Sequence, residues 1–149
     1  MPSQHFEDFC RQVCAAAGVA APRLEPEGEG PPTFSLDYQG VRIGLVQARA
    51  GDAAAAVMLV DFGPPPVQRQ AEAFRVLLES NFLMLGERSP AFGLDPTTGH
   101  VMYHQGFRLT EADPGGLGRS LGAITEAVAR WRDDPFPPQD AHPVPADLA

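Results

Sequence analysis

Lysine is absent from the 149-residue sequence, and all 11 basic side chains are arginines. The chain therefore has no Schiff-base amine, no phosphate-loop lysine and no lysine general base. Cysteine is scarce. Cys10 and Cys14 are the only two, too few for a disulfide framework. Their spacing puts both on one side of a predicted helix, where they read as small apolar packing residues in a reducing compartment. A metal site would need ligands beyond the nearby His5, and a redox pair would read C-x-x-C. Positive charge is also in deficit, 11 basic against 19 acidic side chains for a net charge of −8. Such a surface repels phosphate backbones and anionic lipid, which argues against nucleic acid and membranes as partners. No apolar run reaches the roughly 18 residues a bilayer span needs. The first residues carry Glu7, Asp8 and Arg11 where a signal peptide would be apolar. The expectation is a soluble cytoplasmic protein with one modest core.

Proline and glycine, by contrast, are plentiful, at 16 and 15 residues. They cluster at 22–32, 64–66 and 135–145 and punctuate the chain. Over 3–18, Phe6, Phe9, Cys10, Val13, Cys14 and Ala17 recur at helical spacing. This predicts an amphipathic helix with Ser3 as N-cap and Gly18 as its stop. Alternating Phe34, Leu36 and Tyr38 predict a half-buried strand, Gln39-Gly40 a tight turn, and Val41, Ile43 and Leu45 a second strand. A turn at Gly51-Asp52 leads into 55–62, where Val57, Met58, Leu59 and Val60 predict a strand covered on both sides. Pro64, Pro65 and Pro66 stop that strand and can open a second helix. Along it, Val67, Ala71, Phe74, Leu77, Leu78, Phe82 and Leu85 form a stripe wider than one packing contact needs. Residues 91–95 and 100–105 read as a hairpin around Pro96-Thr97-Thr98-Gly99, continuing through Phe107 and Leu109. A final helix over 115–132 aligns Leu117, Leu121, Ile124, Val128 and Trp131 in one seam. The expected fold is α+β, ordered α-β-β-β-α-β-β-α, with a twisted antiparallel sheet packed by helices. Residues 1–134 make one domain, and 135–149 make a disordered Pro-rich tail.

No catalytic constellation stands out. On a strand, His100 and His104 lie ~13 Å apart, too far to share one ion. Asp95 precedes Pro96 as a turn residue, without a second acid beside it. Ser120 sits in G-R-S-L-G, superficially a nucleophile elbow, but inside a helix with no strand before it. Gly115-Gly116-Leu117-Gly118 fits no phosphate-binding fingerprint for the same reason. Neither an enzyme nor a metal or cofactor site is expected. What remains is surplus apolar surface. One side of the second helix packs internally, and the other, through Val67, Ala71, Phe74, Leu78 and Phe82, suits a second copy of the chain.

Several local strings, in this element order, resemble the type III secretion chaperones of the Tir-chaperone (CesT-like) family. They are Leu77-Leu78-Glu79-Ser80-Asn81, then Phe92-Gly93-Leu94-Asp95 followed by Gly99-His100-Val101, and Ala129-Arg130-Trp131. The likeness spans about residues 3–132. It implies a homodimeric, ATP-independent chaperone that binds the N-terminal region of a secreted effector and hands it, extended, to the secretion apparatus. It also implies a dimer interface on the second helix and apolar grooves on the first helix and the sheet. Phe6, Phe9, Val13, Phe34, Leu36, Val41 and Ile43 are the expected effector contacts. An extended client could also add a strand to a sheet edge, and the acidic surface favours basic clients. The alternative is a non-enzymatic binding or adaptor domain of similar topology, for instance an immunity-type protein.

Overall fold

A computed structural model of the chain describes residues 4–21, 23–24, 30–48, 54–86 and 90–136. The expected Ser3 cap, the Gly51-Asp52 turn, most of the 22–32 loop and the tail beyond Phe136 lie outside the described residues. The elements are α1 (Gln4–Ala17), β1 (Arg23–Leu24), β2 (Thr33–Tyr38), β3 (Val41–Gln47), β4 (Ala55–Gly63), α2 (Gln70–Leu83), β5 (Ala91–Leu94), β6 (Val101–Arg108) and α3 (Pro114–Asp133). The predicted α+β order holds, with one addition. The short strand β1 pairs antiparallel with Phe34 and Ser35 from within the presumed loop. Two residues flanked by prolines and glycines carry no periodicity by which to recognise a strand.

All pairs are antiparallel, in the order β1-β2-β3-β4-β6-β5. The β2–β3 hairpin closes through Gln39 and Gly40, both at positive φ (49° and 79°), as a tight turn compatible with strand twist requires. Gly18, at φ 69°, ends α1, with the Val19 N–H reaching back to the Cys14 carbonyl at 3.0 Å.

One face of the sheet carries the core. Phe34, Leu36, Val41, Ile43, Leu45, Ala56, Met58, Val60, Phe62 and Val101 pack there with five α1 residues and with Leu77, Leu121 and Val128 of α2 and α3. Helices α1 and α3 meet where Gly118 abuts the Val13 carbonyl and the Ala16 side chain. Phe62 joins the layers at the far end, with ring centroids 5.2 Å from Phe92 and 5.8 Å from Trp131. A β-bulge between Asp61 and Gly63 interrupts the β4–β6 register there and turns carbonyls outward. Arg132 of α3 takes them, its Nε donating to the Phe62 carbonyl at 3.0 Å and its Nη2 to that of Asp61 at 3.1 Å.

Two expectations are corrected. β4 is not covered on both sides: Val57 and Leu59 stay half-buried on the face opposite the core. The second helix does not start at the prolines but at Gln70, after a turn in which Arg69 takes a left-handed conformation (φ 61°, ψ 28°). Three consecutive prolines are each fixed near φ −65° but have no N–H to give, and residues 64–66 belong to neither helix nor strand.

Candidate interaction surfaces

Large hydrophobic side chains exposed among the described residues gather on and around α2: Leu78, Phe82 and Leu83 belong to it, and Val67 and Leu85 flank it. The inner side of α2 is fixed by Ala73 and Leu77, both buried. Ala71, Phe74, Leu78 and Phe82 recur at their own steps of three and four, offset around the helix from Ala73 and Leu77, with Ala71, Leu78 and Phe82 on the side away from the sheet and Phe74 at its margin. There they line one open groove together with Leu83 and the aliphatic stems of Arg75 and Glu79. Leu78 and Phe82 are 68 and 67 % exposed, and Val67, just before the helix, is 96 % exposed. Single exposed leucines are ordinary, whereas a contiguous stripe of this kind is more than a monomeric surface commonly shows. Of the five residues expected to form a self-association face, Ala71, Phe74, Leu78 and Phe82 line this groove, and Val67 lies outside it, before the helix. Phe74 also packs against the core.

Arginine–carboxylate pairs frame the groove. Arg75 meets Glu79 at 2.9 Å, and Arg69 meets Glu72 at 2.6 Å. The hydrogen bond from Arg69 holds the Glu72 carboxyl below its ordinary range. The Arg69 guanidinium also covers the Phe136 ring at 3.9 Å, so the chain beyond α3 returns to the start of α2.

The seven expected effector contacts are placed differently. Phe6, Phe9, Val13, Phe34, Leu36, Val41 and Ile43 are only 0 to 8 % exposed and form the chain's own core. In the single chain they offer no surface to a partner. The reason is the alternation itself: it marks one face of each strand as apolar without saying whether a helix or a client covers it. The helices cover that face. The opposite face carries Val46, Val57, Leu59 and Met102, all half-buried and none of them in the core. Val46 pairs with Val57, Leu59 with His104, and Met102 with Asp61. Its two central members, Val57 and Leu59, lay hidden in the continuous apolar run of β4.

The histidines do not converge. His100 Nδ1 lies 3.0 Å from each oxygen of Asp61, which accepts from the Gly63 N–H at 2.7 Å as well. Among the described residues, no three His, Cys, Asp or Glu side chains form a cluster that could hold a metal. Ser120 donates to the Leu117 carbonyl at 2.7 Å within its own helix. Burial, then the neighbouring Cys14 and Glu7, pushes the Cys10 thiol up to about 12. Burial raises Cys14 as well. Because the thiolate is the reactive form, Cys10 should react with a disulfide reagent in the native protein at least about a hundredfold more slowly than in the denatured chain, and Cys14 more slowly as well, as thiol titration at pH 8 would measure. The same shift sets a pH dependence. The folded thiols hold their protons longer, so stability is complete below pH 9 and falls between pH 9 and about 12.

The sequence profile of the Tir chaperone protein (CesT) family matches residues 30–132. The chain belongs to this family. No curated protein sequence matches it. Its fold is similar to several solved structures, among them three at 15 to 17 % identity. A chain of the ExoT–SpcS complex from Pseudomonas aeruginosa aligns with TM-score 0.57 and 16 % identity, over 86 % of this chain and 97 % of that one. The HopA1–SchA chaperone–effector complex gives 0.62 and 15 %, over 87 and 94 %. The heterodimeric ExoU–SpcU complex, from the type III secretion system of P. aeruginosa, gives 0.55 and 17 %, over 85 and 98 %. No helix among the described residues of this CesT family member is long and apolar enough to cross a membrane.

Proposed function

We propose that this protein is a non-enzymatic, ATP-independent type III secretion chaperone. It acts in the bacterial cytoplasm as a homodimer, binds the N-terminal region of a secreted effector, and keeps that region soluble and extended until the secretion apparatus takes it. Family membership supports the class. The observation that carries the homodimer is the exposed face of α2, which leaves Leu78 and Phe82, with Val67 before the helix, in water unless a second copy covers them. A two-fold axis beside α2 would lay each groove against its counterpart.

For the client, the half-buried row Val46, Val57, Leu59 and Met102 replaces the seven core residues as the side-chain surface. An extended segment lying there would seat alternate side chains on the row. The net charge of −8 favours a basic segment. Ordering a disordered client costs a few kcal/mol, so contact must be wide, and two copies double it.

The test is coexpression with the N-terminal region of a secreted protein encoded beside it. A stable complex is expected, in which that region resists protease only while bound. A folded chaperone that forms no such complex would overturn the reading. Leu59→Arg, which leaves the helix-covered face untouched, should weaken the complex about tenfold or more by titration calorimetry, with circular dichroism unchanged.

A further inference from the structure

The two edges of the sheet are β1 and β5, and β5 is closed by a side chain. The Asp95 backbone N–H donates to the His100 carbonyl at 2.9 Å, which fixes the alternation of the β5–β6 ladder. Gly93 and Ala91 then face β6 with their backbone groups, while Phe92 and Leu94 turn theirs toward the open edge. At Phe92 that edge is occupied. Its N–H donates to Asn81 Oδ1 at 2.6 Å, and its carbonyl accepts from Asn81 Nδ2 at 3.0 Å. Asn81, the one asparagine of the sequence, lies one helical turn after the buried Leu77 and so reaches the strand from α2. A carboxamide has the donor and the acceptor of a peptide group. Here it takes the place of the neighbouring strand's peptide. One alternation step earlier, Pro90 has no N–H to offer.

We propose that Asn81 is an edge-blocking residue: by occupying both backbone groups of Phe92, it prevents β5 from pairing with another strand. Any strand that joins the sheet is thereby directed to the β1–β2 side. Copies of the protein meet through the α2 face instead of fusing their sheets. An unblocked edge on a protein that handles extended segments would recruit them, and its own copies, without control. The inference rests on the hydrogen bonds at Phe92 and not on the identity of the client.

Asn81→Ala tests it through hydrogen exchange at the Phe92 amide and through particle size by light scattering. The amide should exchange about tenfold faster or more, and the protein should form species larger than wild type, increasingly with concentration. Lost docking of α2 could also enlarge the particles, and a second change separates the two causes. Gly93 is exposed, and a Cβ there meets nothing within 4 Å, so Gly93→Lys adds an edge charge of the kind that blunts pairing. The double variant should return to wild-type size while Phe92 stays fast. Oligomers that Gly93→Lys does not suppress would overturn the proposal, as would an unchanged Phe92 amide in Asn81→Ala. If Asn81→Ala does not fold, the isosteric Asn81→Asp retains the acceptor for the Phe92 N–H. Phe92 should stay slow in it, and a fast Phe92 in the folded Asp variant would overturn the proposal. Size is read against wild type, so a wild-type monomer would contradict the homodimer without touching this outcome.

Discussion

Replacing Leu78 and Phe82 together by aspartate is expected to give a folded monomer, with self-association weakened at least about a thousandfold, or ~4 kcal/mol. Both side chains are exposed in the single chain, so the variant loses no internal packing, and its circular dichroism and thermal midpoint should stay near those of an isolated wild-type subunit. In a two-fold assembly each substitution appears twice. Every carboxylate left at the centre of an apolar contact must be desolvated without a partner. Like charge adds to this, since each copy already carries −8. Phe74 is the poorer probe, because it also packs against the core and its loss would mix folding with association. Sedimentation equilibrium at micromolar concentration decides the matter. A double variant as dimeric as wild type would remove α2 from the interface, and a monomeric wild type would remove the homodimer itself.

That prediction draws on a face the sequence already displayed, because the helical spacing from Ala71 to Phe82 is a local pattern. The proposed client surface was not legible in the same way. Phe34, Leu36, Val41 and Ile43 alternate cleanly, and alternation reports which side chains share a face. Which face the helices take depends on the crossing of α1 and α3, a tertiary fact. The centre of the half-buried row was masked because β4 is apolar at every position from Ala55 to Val60, a pattern that reads as burial on both sides. Asn81 was quoted only as part of a family-like string. Nothing within eleven residues of a helical asparagine announces that its amide will find Phe92. By contrast, the turns at Gly18 and Gln39-Gly40 were readable because positive φ is a local demand with a local solution.

The α1–α3 contact yields the second large effect, and its internal control lies one turn away. Alanine is the better helix former by about 1 kcal/mol, so either Gly118→Ala or Gly122→Ala would stabilise α3 if packing were indifferent. At Gly122 a Cβ meets nothing within 4 Å, and that variant should gain roughly 0.5–1 kcal/mol. At Gly118 the added carbon would lie 2.5 Å from the Val13 carbonyl oxygen and 2.7 Å from the Ala16 Cβ. The first is backbone and cannot rotate away, so α1 must lift from α3. Helix α1 holds Phe6, Phe9, Cys10, Val13 and Cys14 in the core, and lifting it loosens all five. Gly118→Ala should therefore cost about 2 kcal/mol net, and Gly118→Val more, at the upper end of overpacking effects. The two alanine variants would then differ by about 3 kcal/mol in urea titrations, with opposite signs relative to wild type. In Gly118→Ala the loosening should also release Cys10 and Cys14 to a thiol reagent before the rest of the core opens. Equal stabilisation by both alanines would mean that α1 does not rest on α3 at this glycine.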